Sequence, residues 1–239
     1  MVFEKMPDSI RLENYKKDLF PPFMAAFKYM DEGNFEAGMK EFEKIPQWFS
    51  KVEVAGGVGL TSGKSTSEST IYLDEGIYVI ECYVRMPDGM PHTFMGMIAE
   101  LEVEASSSYE QAPNHDYKAV ISGESGISFP DSVKAGEHVI AVDFHDQKIY
   151  ESMLGHDLNL VKLESEDQLE PLAKWLNAAD IKAFRTPAPE GIQFLGGVED
   201  LPAGKTGYFK VKLEKGNYLM ISEIPQVLER KMFKQFVVV

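Results

Sequence analysis

The chain has 239 residues, enough for one large domain or two of ordinary size, each able to bury its own core. With 24 basic and 38 acidic residues its net charge is −14, which repels phosphate backbones and anionic lipid surfaces and argues against nucleic acid as a partner. Its single cysteine, Cys82, excludes an intrachain disulfide and a cysteine-rich zinc site, and no apolar run is long enough for a membrane span.

From the start, Met1–Ile10 lacks the basic segment and apolar core of a secretory signal, so the chain is either cytoplasmic or one whose leader has been removed. Ser9–Leu12 reads as a strand. Phe35–Phe49 carries apolar residues at helical spacing (Phe35, Met39, Phe42, Ile45), a stripe expected to face a core. Ser62–Ser65 superficially matches the end of a phosphate loop, but Val58 stands where that pattern needs glycine, and the segment reads as a polar turn. Thr70–Cys82 reads as a hairpin: an alternating strand, a turn ending in Gly76, and a second strand. Met86–Met97, rich in methionine, reads as a hydrophobic lid or the edge of a binding surface. The polar stretch Ala105–His115 reads as a linker, dividing the chain into 1–105 and 106–239. In the second part Glu166–Phe184 is helical, with Leu169, Leu172, Trp175 and Leu176 on one stripe.

Comparing the chain with itself shows a repeat at an offset of 140. Gly56-Gly57-Val58 returns as Gly196-Gly197-Val198, Thr66 as Thr206, Leu73 as Leu213, Gly76 as Gly216 and Tyr78 as Tyr218. A generic turn explains Gly76 and Gly216, which suit a positive φ, but not the Gly-Gly-Val at the same offset, so duplication is the expectation.

Several of these features resemble cupredoxin-like domains, in particular tandem versions among bacterial envelope proteins. They are Val133–Phe144 after its Ala-Gly turn, Gly155–Val161 as the histidine strand, the Gly-Gly loop, the Leu-x-x-Gly-x-Tyr segment, and Cys82 to Met97. The resemblance implies an all-β fold of two tandem Greek-key β-sandwiches, each with a short helical insertion. Opening strands are missing from the first unless residues precede Met1. It implies an extracytoplasmic, periplasmic or cell-envelope location.

Copper-binding members join a histidine from an early strand to a cysteine, a second histidine and usually a methionine from the last loop, a set whose thiolate and imidazole donors suit both oxidation states of copper. Carried across, Cys82, His92 and Met97 take the late positions of the first copy. The matching early strand is read as Phe20–Phe27, which has no histidine. The second copy keeps His156, with His145 nearby, but has Ser222 where the thiolate belongs. Neither set is complete, so no metal or other cofactor is expected. With no nucleophile beside a base, no paired catalytic carboxylates and only five histidines, no enzyme is expected either. The function read from the sequence is a non-catalytic binding or structural protein with an unidentified protein or small-molecule partner. The alternative is a copper electron-transfer or copper-handling protein using Cys82, His92 and Met97.

Overall fold

The computed structural model describes residues 1–105, 111–150 and 155–239. In the N-terminal half the elements run β1 (Val2–Lys5), α1 (Leu12–Asp31), α2 (Phe35–Phe42), β2 (Glu53–Gly57), β3 (Glu68–Thr70), β4 (Gly76–Glu81) and β5 (Ile98–Val103). The C-terminal half adds β6 (Tyr117–Ser122), β7 (Gly126–Ser128), β8 (Ser132–Val133), β9 (Gly136–Phe144), β10 (Leu158–Leu163), α3 (Leu169–Leu176), β11 (Ile192–Val198), β12 (Lys205–Leu213), β13 (Gly216–Ile221) and β14 (Phe233–Val238). The fold is all-β with helical insertions, as the sequence implies.

The C-terminal half is a sandwich of two sheets, ordered β11-β10-β13-β14-β8 and β3-β12-β9-β6-β7. Strand β12 shows why: Gly207, Phe209, Val211 and Leu213 are buried while Lys210 and Lys212 are exposed, the two-residue period of a strand with one face in a core. Phe209, Ile140 and Val142 of one sheet share a buried cluster with Leu160, Met220 and Phe236 of the other. Helix α3 closes the opposite face of the second sheet. Leu172 and Leu176 are fully buried, and Trp175 packs its ring on Phe194 and Phe184 at 5.6 and 5.3 Å.

In the N-terminal half one sheet, β2-β1-β4-β5, carries helices on one face. Met6, Tyr15, Leu19 and Val79 form its core, with Phe23, Trp48, Phe49 and Ile77 packed around them. Two expected strands are not strands. Ser9–Leu12 leads into α1, and Phe20–Phe27 lies inside it, because Tyr15, Leu19, Pro22 and Ala26 recur at helical spacing on the buried face. The pair Pro21-Pro22, which favours a strand reading, sits mid-helix and takes two amides out of the ladder. The next insertion is a helix only to Phe42, followed by a 3-10 turn at Gln47–Lys51, and Phe35 and Met39 of its expected core stripe are each 58% exposed.

The expected hairpin is also corrected. Strand β4 pairs with β1 and β5, whereas β3 pairs with β12 of the other half, so the Leu-x-x-Gly-x-Tyr segment arches from one sheet to another. The tyrosine holds the arch: Tyr78 Oη donates to the Asp74 carbonyl at 2.7 Å, and Tyr218 Oη to the Glu214 carbonyl at 2.8 Å, the tyrosine corner of β-sandwiches.

The same correspondence runs through the backbone. Gly56 and Gly57 have φ of 91° and 154°, Gly196 and Gly197 of 94° and 151°. Lys5 sits opposite Tyr78 and Lys162 opposite Tyr218, which aligns β1 with β10. The halves touch through residues that are each other's counterparts. Val58 bridges Val198, with Gly59 N donating to Gly197 O and Glu199 N to Gly57 O, both at 3.3 Å, and Ser69 stands opposite Phe209. The sequence boundary near 106 falls outside the described residues.

Candidate functional site

Cys82 follows β4 and is buried, its Sγ 3.6 Å from His92 Nδ1. The backbone clamps the loop around it: Cys82 N donates to Met97 O at 3.1 Å, Thr93 N to Cys82 O at 3.0 Å, and His92 N to Val84 O at 2.8 Å. Sequence therefore named residues that do come together, although the Met97 residue is 48% exposed rather than folded over the pair. Met86 and Met95 also face solvent, while Phe94 of the same loop stacks on Phe20 of α1 at 4.6 Å, so the loop is anchored by its aromatic and not its methionines. Burial pushes the Cys82 thiol above its ordinary range, so without a bound metal it is a neutral thiol at neutral pH.

Phe20–Phe27, read as the early strand matching that of His156, is helical and lies inside α1, so it provides no strand position for a ligand. In the second copy Ser222 N donates to Met232 O at 3.0 Å, as Cys82 N does to Met97 O, which identifies Met232 as the counterpart of Met97. Sequence comparison at a fixed offset of 140 misses it because the first copy's loop is longer.

At the second site the candidate donors are engaged in hydrogen bonds. Ser222 Oγ donates to Asp157 Oδ1 at 2.7 Å, and His156 Nε2 takes the Asp146 carbonyl at 2.8 Å, leaving a buried Nδ1 without a partner. Burial holds His156 below its usual pKa, outweighing the pull of Asp146, so the ring is neutral. The Asp146 carboxylate, 3.7 Å from His156 Nε2, accepts from Gly123 N at 2.7 Å and Ser122 Oγ at 2.6 Å. Those two donors, acting against burial, hold it below its usual range. His145 is tied by its backbone to Ile121 O. Among the described residues no three His, Cys, Asp or Glu side chains are arranged to hold a metal.

What fills the space between the two halves is a buried polar network that the sequence reading did not identify. Tyr83, next to Cys82, places its Oη 2.8 Å from Glu199 Oε1 and 2.9 Å from Glu223 Oε1. Asn159 Nδ2 donates to Asp157 Oδ2 at 2.6 Å and Glu223 Oε1 at 3.0 Å, while Asn159 Oδ1 accepts from Leu60 N at 2.6 Å. A phenol has one proton to give, so of its two carboxyl neighbours one must itself be protonated. Glu223 Oε1 accepts from Asn159 as well, and Glu199 Oε1 stands 3.9 Å from the Met1 amino group. Burial raises the pKa of Asp157, Glu199 and Glu223, and for Asp157 and Glu223 neighbouring carboxylates push it further. Tyr83 and Glu223 are themselves 140 apart, so comparison at that offset with attention to polar mismatches is the signal that finds the network.

No protein-family model matches the chain, and no curated protein matches it. Among solved structures it is similar to auracyanin B, at 19% identity and a TM-score of 0.37, over 55% of this chain and 93% of that one. It is similar also to auracyanin A, a "blue" copper protein from Chloroflexus aurantiacus (18%, TM-score 0.35, 51% and 96%). A third is rusticyanin from Thiobacillus ferrooxidans (20%, TM-score 0.30, 52% and 75%).

Proposed function

We propose that the chain is a tandem cupredoxin-like protein that has lost its copper chemistry and serves as a non-catalytic binding or structural module outside the cytoplasm. The observation that carries this reading is the hydrogen bond from Ser222 to Asp157 at the place of the thiolate. A hydroxyl engaged with a carboxylate supplies no soft ligand, and replacing a metal by a closed polar network keeps the sandwich end satisfied without one. The envelope location follows from the resemblance in sequence pattern. No helix among the described residues is long and apolar enough to cross a membrane.

The second reading, copper handling at the first site, is favoured by one distance: the 3.6 Å between Cys82 Sγ and His92 Nδ1. Metal analysis of protein purified without chelator, followed by Cu(II) titration with a visible spectrum, separates the two. The proposed function expects a colourless protein with substoichiometric copper. An intense thiolate-to-copper band that disappears in Cys82→Ser replaces it with the second reading.

A further inference from the structure

The helix-covered face of the N-terminal sheet carries two carboxyls where the other half is apolar. Val2 stands opposite Glu81 and Glu4 opposite Val79, so Glu4 and Glu81 are diagonal neighbours on the face that holds Met6, Tyr15 and Leu19. By register their counterparts are Val161 and Ile221, both fully buried among apolar side chains. Two glutamates in place of valine and isoleucine cost stability unless something answers their charge. Among the described residues no basic side chain does so; the Met1 amino group is within electrostatic range of Glu81 alone of the two.

Two hydroxyls complete the cluster. Tyr15, 5% exposed, donates from Oη to Glu81 Oε2 at 3.0 Å and lies beside Glu4 as well. Thr93, 4% exposed, stands beside the Glu81 carboxyl, yet its Oγ1 makes no hydrogen bond. Glu4 Oε2 is likewise shut from solvent without a donor. Two buried oxygens adjoining Glu81 thus have lone pairs left to give, a state that buried polar atoms rarely keep without a ligand. As residues both glutamates keep part of their surface in solvent, which leaves a way in. We infer that Glu4, Glu81, Thr93 and Tyr15 form a binding site for a calcium ion. The donors are all oxygen, which selects a hard cation, and two carboxylates neutralise one divalent charge. With two charged ligands rather than three, the hydroxyls and water make up the rest, an irregular set that calcium accepts and magnesium does not. Burial, with Glu81 adding to it at Glu4, holds both carboxyls above their ordinary range, so the ion displaces protons and binds more tightly as pH rises. The site goes beyond the proposed function and depends neither on copper nor on how the two halves arose.

Calcium chloride is titrated by calorimetry into the full chain, stripped with chelator and held near pH 8, with Tm followed in parallel. Saturable one-to-one binding is expected, with magnesium at least about ten-fold weaker and Tm about 5 °C higher at roughly a hundred-fold excess of calcium over Kd. Glu4→Gln and Glu81→Gln weaken binding at least about ten-fold, and in chelator they match or exceed the wild-type Tm because a buried charge is gone. Thr93→Val, nearly the same shape, also weakens binding, whereas Glu43→Gln, exposed just past α2, binds as wild type does. Equal calcium binding by wild type and Glu4→Gln puts the ion on the acidic surface and overturns the inference. So does the absence of any calcium effect on a chain that circular dichroism shows folded, which leaves a proton shared by the pair.

Discussion

Tyr78 and Tyr218 each combine a ring at 1% exposure with a hydroxyl that reaches back four residues to a carbonyl. Removing the hydroxyl leaves that carbonyl, and at Glu214 also the amide that donates to Tyr218 Oη, without its bond inside the arch. Tyr218→Phe is therefore expected to lower stability by about 1–2 kcal/mol in urea unfolding, with Tyr78→Phe costing less because it loses one bond rather than two. Both tyrosines were legible from their shared offset, since a corner is a local device whose residues sit close in sequence. So were Cys82 and His92, which the structure brings within 3.6 Å. Asp157, Glu199 and Glu223 were not. Their hydrogen bonds run to Tyr83 and Asn159, more than 60 residues away, apart from the short Asp157–Asn159 link, and nothing in local spacing marks them as partners.

At the scale of elements, the sequence pattern identified β12 and α3 because each is amphipathic with its own period, and β4 and β9 as apolar runs bounded by glycine, and it failed where tertiary context chose between readings. The Phe20–Phe27 segment has aromatic and proline content that suits an extended edge, yet burial of Leu19, Pro22 and Ala26 against the sheet selects the helix. The arch from β12 to β13 has the same local sequence as a hairpin, and which sheet each strand joins is settled by partners distant in sequence. The Gly-Gly bulge at the end of β11 is different, since its requirement is written in the backbone. Gly197 has a φ of 151°, and a Cβ there would stand 1.9 Å from Leu158 O. Gly197→Ala must push β10 and β11 apart where they carry Asn159 and Glu199. A loss of more than about 1 kcal/mol is expected in thermal or urea unfolding. Gly63→Ala, where a Cβ meets nothing within 4 Å, is the control and should stay within about 0.5 kcal/mol of wild type.

For the whole molecule, the carboxyls between the halves make stability depend on pH in the direction opposite to ordinary acid denaturation. Asp157, Glu199 and Glu223 face one another and Tyr83. Arg85, whose guanidinium bonds the Ala178, Asp180 and Ala183 carbonyls, lies within electrostatic range of Glu223, the Met1 amino group stands 3.9 Å from Glu199, and Asp200 is raised to about 7 by burial and by Glu199. All four carboxyls keep their protons in the fold at pH values where the unfolded chain, with its ordinary carboxylate values near 4, has lost them. The folded state then binds more protons, so unfolding free energy falls as pH rises. Their contribution is complete below the unfolded values and is lost progressively as pH climbs from about 4 towards and beyond 7. Elsewhere paired carboxylates such as Asp131 with Lys234 oppose the trend only in more acidic solution, where they titrate below their ordinary range. Glu199→Gln tests this, because its amide keeps a hydrogen-bonding group beside Tyr83 Oη without a proton to lose. The variant is expected to match wild type near pH 4.5, to exceed it at pH 8, and to flatten the slope of Tm against pH between those values. A variant that loses stability equally at both pH values would mean that Glu199 is charged in the fold across that range.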